Sequence, residues 1–156
     1  MSHHETLLDV MREARVLLDA AVTDAMPRLE EPVDGGWRVR DELSHIALWE
    51  RVAARKIAGV PLPDGEDLIE FEPWDMDAFN DAMLERWGLR STADVLTEFA
   101  AAHEALITAV GQANDADCTP GGLAWQAVAD DGAGHYDAHF PVPNLMEQRY
   151  PSHGTG

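Results

Sequence analysis

The sequence predicts an all-α protein, a four-helix bundle with a short extra helix between the second and third long helices. Four long segments place apolar residues near the 3.6-residue period of an amphipathic helix. No segment alternates apolar and polar residues with period two, so no strand is predicted. Most of the connections are short, which is typical of antiparallel helices in a bundle. One longer excursion separates the second and third long helices.

The first two long helices are predicted over Glu5–Met26 and Val39–Ala58. Pro27 ends the first helix, since proline cannot continue the hydrogen-bond ladder. Gly59 and the prolines that follow end the second. The first helix carries an apolar stripe along one face: Leu7, Leu8, Met11, Ala14, Leu18 and Val22.

The excursion over Val60–Pro73 is acidic and irregular, and a short helix over Asp75–Trp87 follows it. Ser91 resembles the cap of the third long helix, which runs to about Ala113. Trp74 and Trp87 are expected to anchor the excursion to the bundle.

The last long helix is predicted over Leu123–Phe140, after a loop at Asn114–Gly122 that is rich in turn-forming residues. A polar tail, residues 141–156, finishes the chain. With no internal repeat or linker, residues 1–156 are expected to form one domain whose core lies within about residues 5–140.

Composition excludes several classes of partner. The chain has 29 acidic and 11 basic residues, a net charge of -18, which repels phosphate backbones and argues against binding to nucleic acid. No apolar run approaches the ~20 residues needed to span a bilayer, and the acidic N-terminal segment does not resemble a secretory signal, so a cytoplasmic protein without a membrane partner is expected. The lone cysteine, Cys118, excludes an internal disulfide and is expected to be an incidental loop thiol.

Three histidines are the candidate metal ligands. His135 and His139 lie four residues apart in GHYDAHF, so on a helix they share one face. His45, on the second helix, can complete a site of three nitrogens. Three protein ligands leave a coordination position open, as in catalytic or substrate-binding metal sites, although histidine suits zinc, nickel, copper and iron alike.

Other interpretations of these histidines stay open. His45 shares a face with Trp49, where a buried histidine often has a purely structural role. A pair spaced as His135 and His139 also arises by chance on solvent-exposed faces. Bundles in which facing helices build metal sites are common, and the three histidines together therefore favour a metal site.

Asp41 lies one turn before His45 and has three candidate roles. It can orient His45 or serve as a general base, or it can be a charge that favours the N-terminal end of the helix dipole. Trp49 and Trp125 are expected to line the pocket or the core.

The remaining histidines are not assigned to the site. His103 is expected at the polar boundary of the third long helix, with a fourth metal ligand as the alternative. His3 and His4 are expected beside a disordered terminus, and His153 lies in the tail. Asp137 is expected to face outward, since it lies ~200° around the helix from His135.

The stretch GWRVRDELSHIALWE resembles the start of the second helix in the DinB-like superfamily of four-helix bundles. The shared pattern is a tryptophan at the helix entrance, an acidic residue in the first turn, then histidine, an apolar residue and Trp-Glu. The later stretches FEPWDMDAFNDAMLERWGLRSTADVLTEFAAAHEALITAV and GHYDAHF are similar to the ClbS/DfsB branch, which shows a terminal HYxxH. One departure is Arg38, which stands where the family often has a capping Ser or Thr; Asp34 is a candidate substitute.

The resemblance implies a divalent metal, often nickel or zinc, held by His45, His135 and His139, and frequent homodimers. It also implies that Tyr136, within HYxxH, faces a pocket. Some relatives use the metal in thiol-dependent transferase or isomerase reactions. The ClbS-like branch is linked to self-protection against a DNA-damaging metabolite, by opening its reactive cyclopropane.

These observations predict a protein that acts on a reactive small molecule by hydrolysis or by transfer of a small group or thiol. A second hypothesis is a bundle that binds or sequesters a small molecule or metal without turnover. A third is a bundle whose polar pocket binds no metal.

Overall fold

The computed structural model describes residues 1–33, 36–60 and 76–151 and confirms the all-α bundle. Within these ranges there is no strand, only an isolated bridge between Pro32 and Arg38. The α-helices are α1 (His3–Ala25), α2 (Val39–Ala58), α3 (Met76–Trp87), α4 (Thr92–Gln112), α5 (Leu123–Asp131) and α6 (Leu145–Arg149). Short 3-10 segments lie at Met26–Arg28, Asp115–Cys118 and Ala133–Ala138.

Helix α2 is the centre of the bundle. It packs most extensively against α4 and also against α5, while α1 packs against α4 and α6. The core is aliphatic, and its fully buried side chains include Leu7, Leu18, Leu43, Ile46, Leu106 and Val128. Because apolar burial is the main driving force for folding, this core fixes α2 relative to its neighbours.

Local hydrogen bonds explain where α1 and α2 begin. The Ser2 hydroxyl accepts from the Glu5 amide at 3.1 Å and the Glu5 carboxylate accepts from the Ser2 amide at 2.9 Å. This capping box starts α1 at His3, so the prediction of a disordered terminus at His3 and His4 is wrong. At α2, the Asp41 carboxylate accepts from the Arg38 amide at 2.8 Å, which satisfies one of the free donors there.

Helix α2 ends as predicted at Ala58, since Gly59 adopts a left-handed conformation with φ 69°. The short extra helix is present as α3, and its last residue, Trp87, is buried against Leu48 and Val52 of α2. Trp87 therefore anchors α3 to the bundle, as expected. Trp74, most of the excursion, Asp34 and His153 lie outside the described residues.

The prediction of one last helix over Leu123–Phe140 is correct in its first half and wrong in its second. Helix α5 ends at Asp131, and the histidine pair lies on the 3-10 segment Ala133–Ala138 and the residue after it. Two glycines, Gly132 and Gly134, interrupt the pattern, and each costs ~1 kcal/mol relative to alanine inside a helix. A Cβ on Gly134 would lie 2.0 Å from the Ala129 carbonyl oxygen, so the turn needs glycine there.

The prediction of a polar tail over residues 141–156 is also partly wrong. Residues 145–149 form α6, whose Leu145 and Met146 are buried in the main core. The Asn144 side chain caps α6 by accepting from the Glu147 amide at 3.2 Å, and its amide donates to the Gly134 carbonyl at 3.1 Å. Helix α6 therefore packs behind the histidine pair and extends the core beyond residue 140.

One expectation about a cysteine is refined and one about a histidine is corrected. Cys118 lies in the connection between α4 and α5, as expected, and its side chain is fully buried there, which raises its pKa. His103 lies in the bundle interior at 7% exposure rather than at the polar boundary. No helix in the described part of the chain is both long and apolar enough to cross a bilayer.

Replacement of Gly134 by alanine tests the turn between α5 and the histidine pair. We expect Gly134→Ala to lower the free energy of unfolding by ~1–3 kcal/mol, since its Cβ must displace backbone. The matched control is Gly111→Ala, where nothing lies within 4 Å of the new Cβ and helix propensity favours alanine. Urea denaturation measures both; equal stability of the two variants would contradict the turn.

Candidate metal centre

The three candidate ligands come together in one cluster. The ring centroid of His45 lies 5.1 Å from that of His135 and 4.6 Å from that of His139, and the latter two are 4.6 Å apart. One ring nitrogen from each lies within 4.8 Å of the other two. His45 on α2 and the pair after α5 are ninety positions apart in the chain, and the packing of α2 against α5 joins them.

The pair converges without an α-helix between its members. The His139 amide donates to the Tyr136 carbonyl at 3.1 Å, and the His135 amide donates to the Gly132 carbonyl at 2.8 Å, both over three residues. This tighter turn brings His135 Nε2 and His139 Nε2 to 3.0 Å. The predicted convergence is therefore present, produced by a 3-10 segment.

Burial sets the protonation of two of the rings. Desolvation, followed by repulsion from His139 and His135, lowers the pKa of His45 to about 3. Desolvation and then His139 lower the pKa of His135 to about 4. Both rings are neutral at pH 7, and a neutral imidazole nitrogen is the form that binds a metal.

A carboxylate that the sequence interpretation missed holds the third ring. Glu42 on α2 accepts a hydrogen bond from Nδ1 of His139. The Nδ1–H tautomer leaves the Nε2 lone pair directed at the cluster, as in metal-bound histidines that donate their other nitrogen to a carboxylate. Glu42 lies three residues before His45 on α2, so helical spacing is the signal that could have identified it as a neighbour of the cluster.

The donor set fits a divalent cation. Nδ1 of His45 is buried without a hydrogen-bond partner among the described residues, and Nε2 of His135 faces Nε2 of His139 at 3.0 Å. Buried polar atoms normally have partners, and those left without one mark a site that a ligand or ion completes. Nitrogens of a four-coordinate zinc site lie ~3.3 Å apart, given bonds of ~2.0–2.1 Å, and the His135–His139 pair is already near that separation.

Tryptophans cover the His45 side of the cluster. The Trp37 ring centroid lies 5.1 Å from that of His45, and Trp49 stands edge-on at 6.2 Å. Trp49 is 7% exposed, so it belongs to the wall of the site and to the core. Trp125 packs edge-on against Tyr150, at 5.5 Å between centroids, on the side where α5 meets α6.

The structure places Asp41 and Tyr136 away from a direct role on the cluster. The Asp41 carboxylate also accepts from Arg38 Nε at 3.2 Å, which favours the helix-entrance role over the two catalytic ones. The Tyr136 side chain points into the bundle interior at 1% exposure, where its hydroxyl donates to Glu50. Asp137 is exposed, as expected.

A groove on the α1 side reaches His139, while His45 and His135 are not part of its lining. It has a volume of about 800 Å³ and is lined in part by Glu42 and His139. Its remaining lining is mostly small or apolar, with Asp24 and Arg28 as further charged groups: Leu17, Ala20, Ala21, Ala25, Val33, Val39, Ala138, Phe140 and Pro141. A site of this size and lining suits a small molecule with an apolar body.

The fold and the cluster agree with a family comparison. The model of the DinB superfamily matches residues 6–132. The chain belongs to the DinB superfamily. The match includes His45 and ends before His135 and His139, so the pair rests on the geometry described above. Neither curated proteins nor solved structures give a match to this DinB-superfamily chain.

The lowered pKa values of His45 and His135 predict an acid-dependent stability. Between the unfolded pKa near 6.5 and the folded values of about 3 and about 4, the unfolded chain binds more protons than the folded chain. The free energy of unfolding of metal-free protein should therefore be undiminished above pH 6.5 and fall as pH drops below it. Urea denaturation at about pH 7 and about pH 5 measures the loss.

We expect His135→Asn to show a smaller loss between those two pH values than the parent. His3→Asn is the matched control, because His3 is exposed and far from the cluster in the sequence. Carboxylate protonation lowers stability equally in all three proteins. An equal loss in His135→Asn and His3→Asn would show that burial does not depress the His135 pKa.

Proposed function

We propose that His45, His135 and His139 hold a divalent cation in this DinB-superfamily protein, and that the centre acts on a reactive small molecule in the adjoining groove. The observation that carries the proposal is the convergence of three imidazoles with ligand nitrogens within 4.8 Å of one another. The three-histidine set favours zinc or nickel, with copper and iron compatible as well.

Each protein group has a stated part in this proposal. Burial keeps His45 and His135 neutral, so their nitrogens stay available at neutral pH. Glu42 fixes the tautomer of His139, and the edge-on Trp49 limits water on the His45 side. A divalent cation held there supplies Lewis acidity toward an electrophilic substrate.

The groove supports a small-molecule substrate. Its volume of about 800 Å³ lies within the range of ligand sites, and Glu42 and His139 contribute to its wall. The proposed reaction is hydrolysis, or transfer of a small group or a thiol, on a reactive electrophile. The HYxxH segment and the acidic-aromatic excursion support a place in the ClbS/DfsB branch and a protective role against such molecules.

Metal content tests the centre. Protein purified without a tag should carry about one zinc or nickel per chain by elemental analysis, and chelation should lower its melting temperature at neutral pH. The difference in melting temperature between metal-bound and chelated protein should narrow toward pH 5, because protons compete with metal for the histidine nitrogens. His139→Ala should lose most of the bound metal and most of this difference while staying helical.

The matched control is His3→Ala, which should keep the metal content of the parent. An unchanged melting temperature after chelation, together with parental metal content in His139→Ala, would contradict the three-histidine centre. Turnover of electrophilic small molecules, with and without added thiol, separates an enzyme from a protein that only sequesters its ligand. Metal-dependent turnover is the result we expect.

A two-fold homodimer is the second part of the proposal. It is supported by the family resemblance and by exposed apolar side chains on α1, where Val16 is 69% and Leu17 is 37% exposed. Light scattering should give twice the 17.1 kDa chain mass at micromolar concentration, and Val16→Glu should shift it toward the monomer. A single-chain mass for the parent protein would contradict the dimer.

A further inference from the structure

The Tyr136 hydroxyl lies in a closed polar cluster inside the bundle. It donates to Oε2 of Glu50 at 3.0 Å. Tyr136 is 1% exposed and Glu50 is fully buried. Burial raises the pKa of Tyr136 well above its ordinary value, so the hydroxyl keeps its proton and acts as a donor.

Two other helices complete the cluster around the same carboxylate. Arg15 Nη1 of α1 donates to Oε1 of Glu50 at 3.0 Å, and Nδ1 of His103 of α4 lies 3.0 Å from Oε2. Arg15 is held in turn by the Phe99 carbonyl at 3.0 Å and stacks on the Phe99 ring at 3.8 Å. Glu50 is therefore a fixed acceptor, bound from α1, from α4 and by Tyr136.

The chain around Tyr136 has little local support. It is a 3-10 segment with bonds over three residues, and such segments have poorer hydrogen-bond geometry than α-helices. Gly132 precedes this segment and Gly134 lies within it, and glycines favour the unfolded chain. Tyr136 stands between His135 and His139, so a contact that fixes Tyr136 fixes the backbone that carries both rings.

We propose that Tyr136 is a positioning residue, whose hydroxyl bond to Glu50 sets His135 and His139 opposite His45. Glu50 and His45 are on the same helix, α2, so this bond ties the two halves of the cluster to one rigid element. The expected effect of Tyr136 on metal binding rests on the proposed metal centre, whereas its effect on the position of the two histidines does not. The competing account is that apolar burial of the Tyr136 ring alone places the segment.

Tyr136→Phe separates these accounts, since it keeps the ring and removes the hydroxyl. Tyr150→Phe is the matched control, because the buried Tyr150 hydroxyl has no hydrogen-bond partner among the described residues. His103→Gln is a second comparison: it alters a group that lies 3.0 Å from the Glu50 carboxylate and 3.4 Å from the Tyr136 hydroxyl, and it keeps the bond between Tyr136 and Glu50.

The first measurement is the affinity for zinc in competition with a chromogenic chelator. We expect Tyr136→Phe to bind zinc ~10–100-fold more weakly, the range for loss of a group that orients a ligand. The visible spectrum of the cobalt-substituted protein should also change, because it reports ligand geometry. Tyr150→Phe should match the parent in both.

The second measurement does not need metal. Hydrogen exchange of the metal-free protein should show the His135 and His139 amides exchanging about tenfold faster in Tyr136→Phe than in the parent. The α2 amides should change only in proportion to global stability. His103→Gln should lower global stability without this selective effect.

The outcomes distinguish the inference from the function on which it rests. If the parent protein binds no zinc, the proposed metal centre is contradicted. The hydrogen-exchange measurement then still decides whether the Tyr136 hydroxyl positions the segment that carries His135 and His139. Parental affinity, spectrum and exchange in Tyr136→Phe would overturn the inference. The inference is also overturned if Tyr136→Phe fails to fold, or if its amide exchange rates rise at the same residues and by the same factors as those of His103→Gln. Either result would show that the hydroxyl has a purely structural role.

Discussion

The buried carboxylate of Glu50 is the constraint on which the arrangement of this protein depends. A charge without solvent is costly unless it is paired, and removing a partner from a buried pair costs ~3–5 kcal/mol. Arg15 supplies the opposite charge, and His103 and Tyr136 bind the remaining oxygen. The requirement to satisfy one side chain therefore holds α1, α2, α4 and the segment before His139 in a single arrangement.

The candidate metal centre differs from the Glu50 cluster, because two of its side chains are neutral and some of its nitrogens have no hydrogen-bond partner among the described residues. Desolvation favours the uncharged form of His45 and His135, and Glu42 provides a carboxylate for His139 alone. Such a cluster is polar enough to bind a cation and too poor in hydrogen-bond donors and acceptors to satisfy itself. Membership of the DinB superfamily agrees with this interpretation, although the family match stops at residue 132.

Local rules were sufficient for α2 and insufficient for the end of α5 and for α6. The bounds of Val39–Ala58 follow from an apolar stripe and a terminating glycine, signals that lie within the helix and the next residue. The end of α5 was mistaken because the apolar period continues through residues 133–140, while Gly132 and Gly134 lower the helical propensity there. Helix α6 was missed because its short apolar pair becomes informative only when packed behind Gly134.

The sequence by itself determined the fold class and the pairing of His135 with His139, because spacing along a chain fixes which residues share a turn. His45 was a candidate only through the bundle architecture and the family resemblance. Only the tertiary structure decided the rest. Glu42 was found in place of Asp41 as the carboxylate at the cluster, and Tyr136 was placed in the interior, 86 residues along the chain from Glu50. Such pairs depend on how α2 packs against its neighbours, and no local periodicity encodes a contact between distant segments.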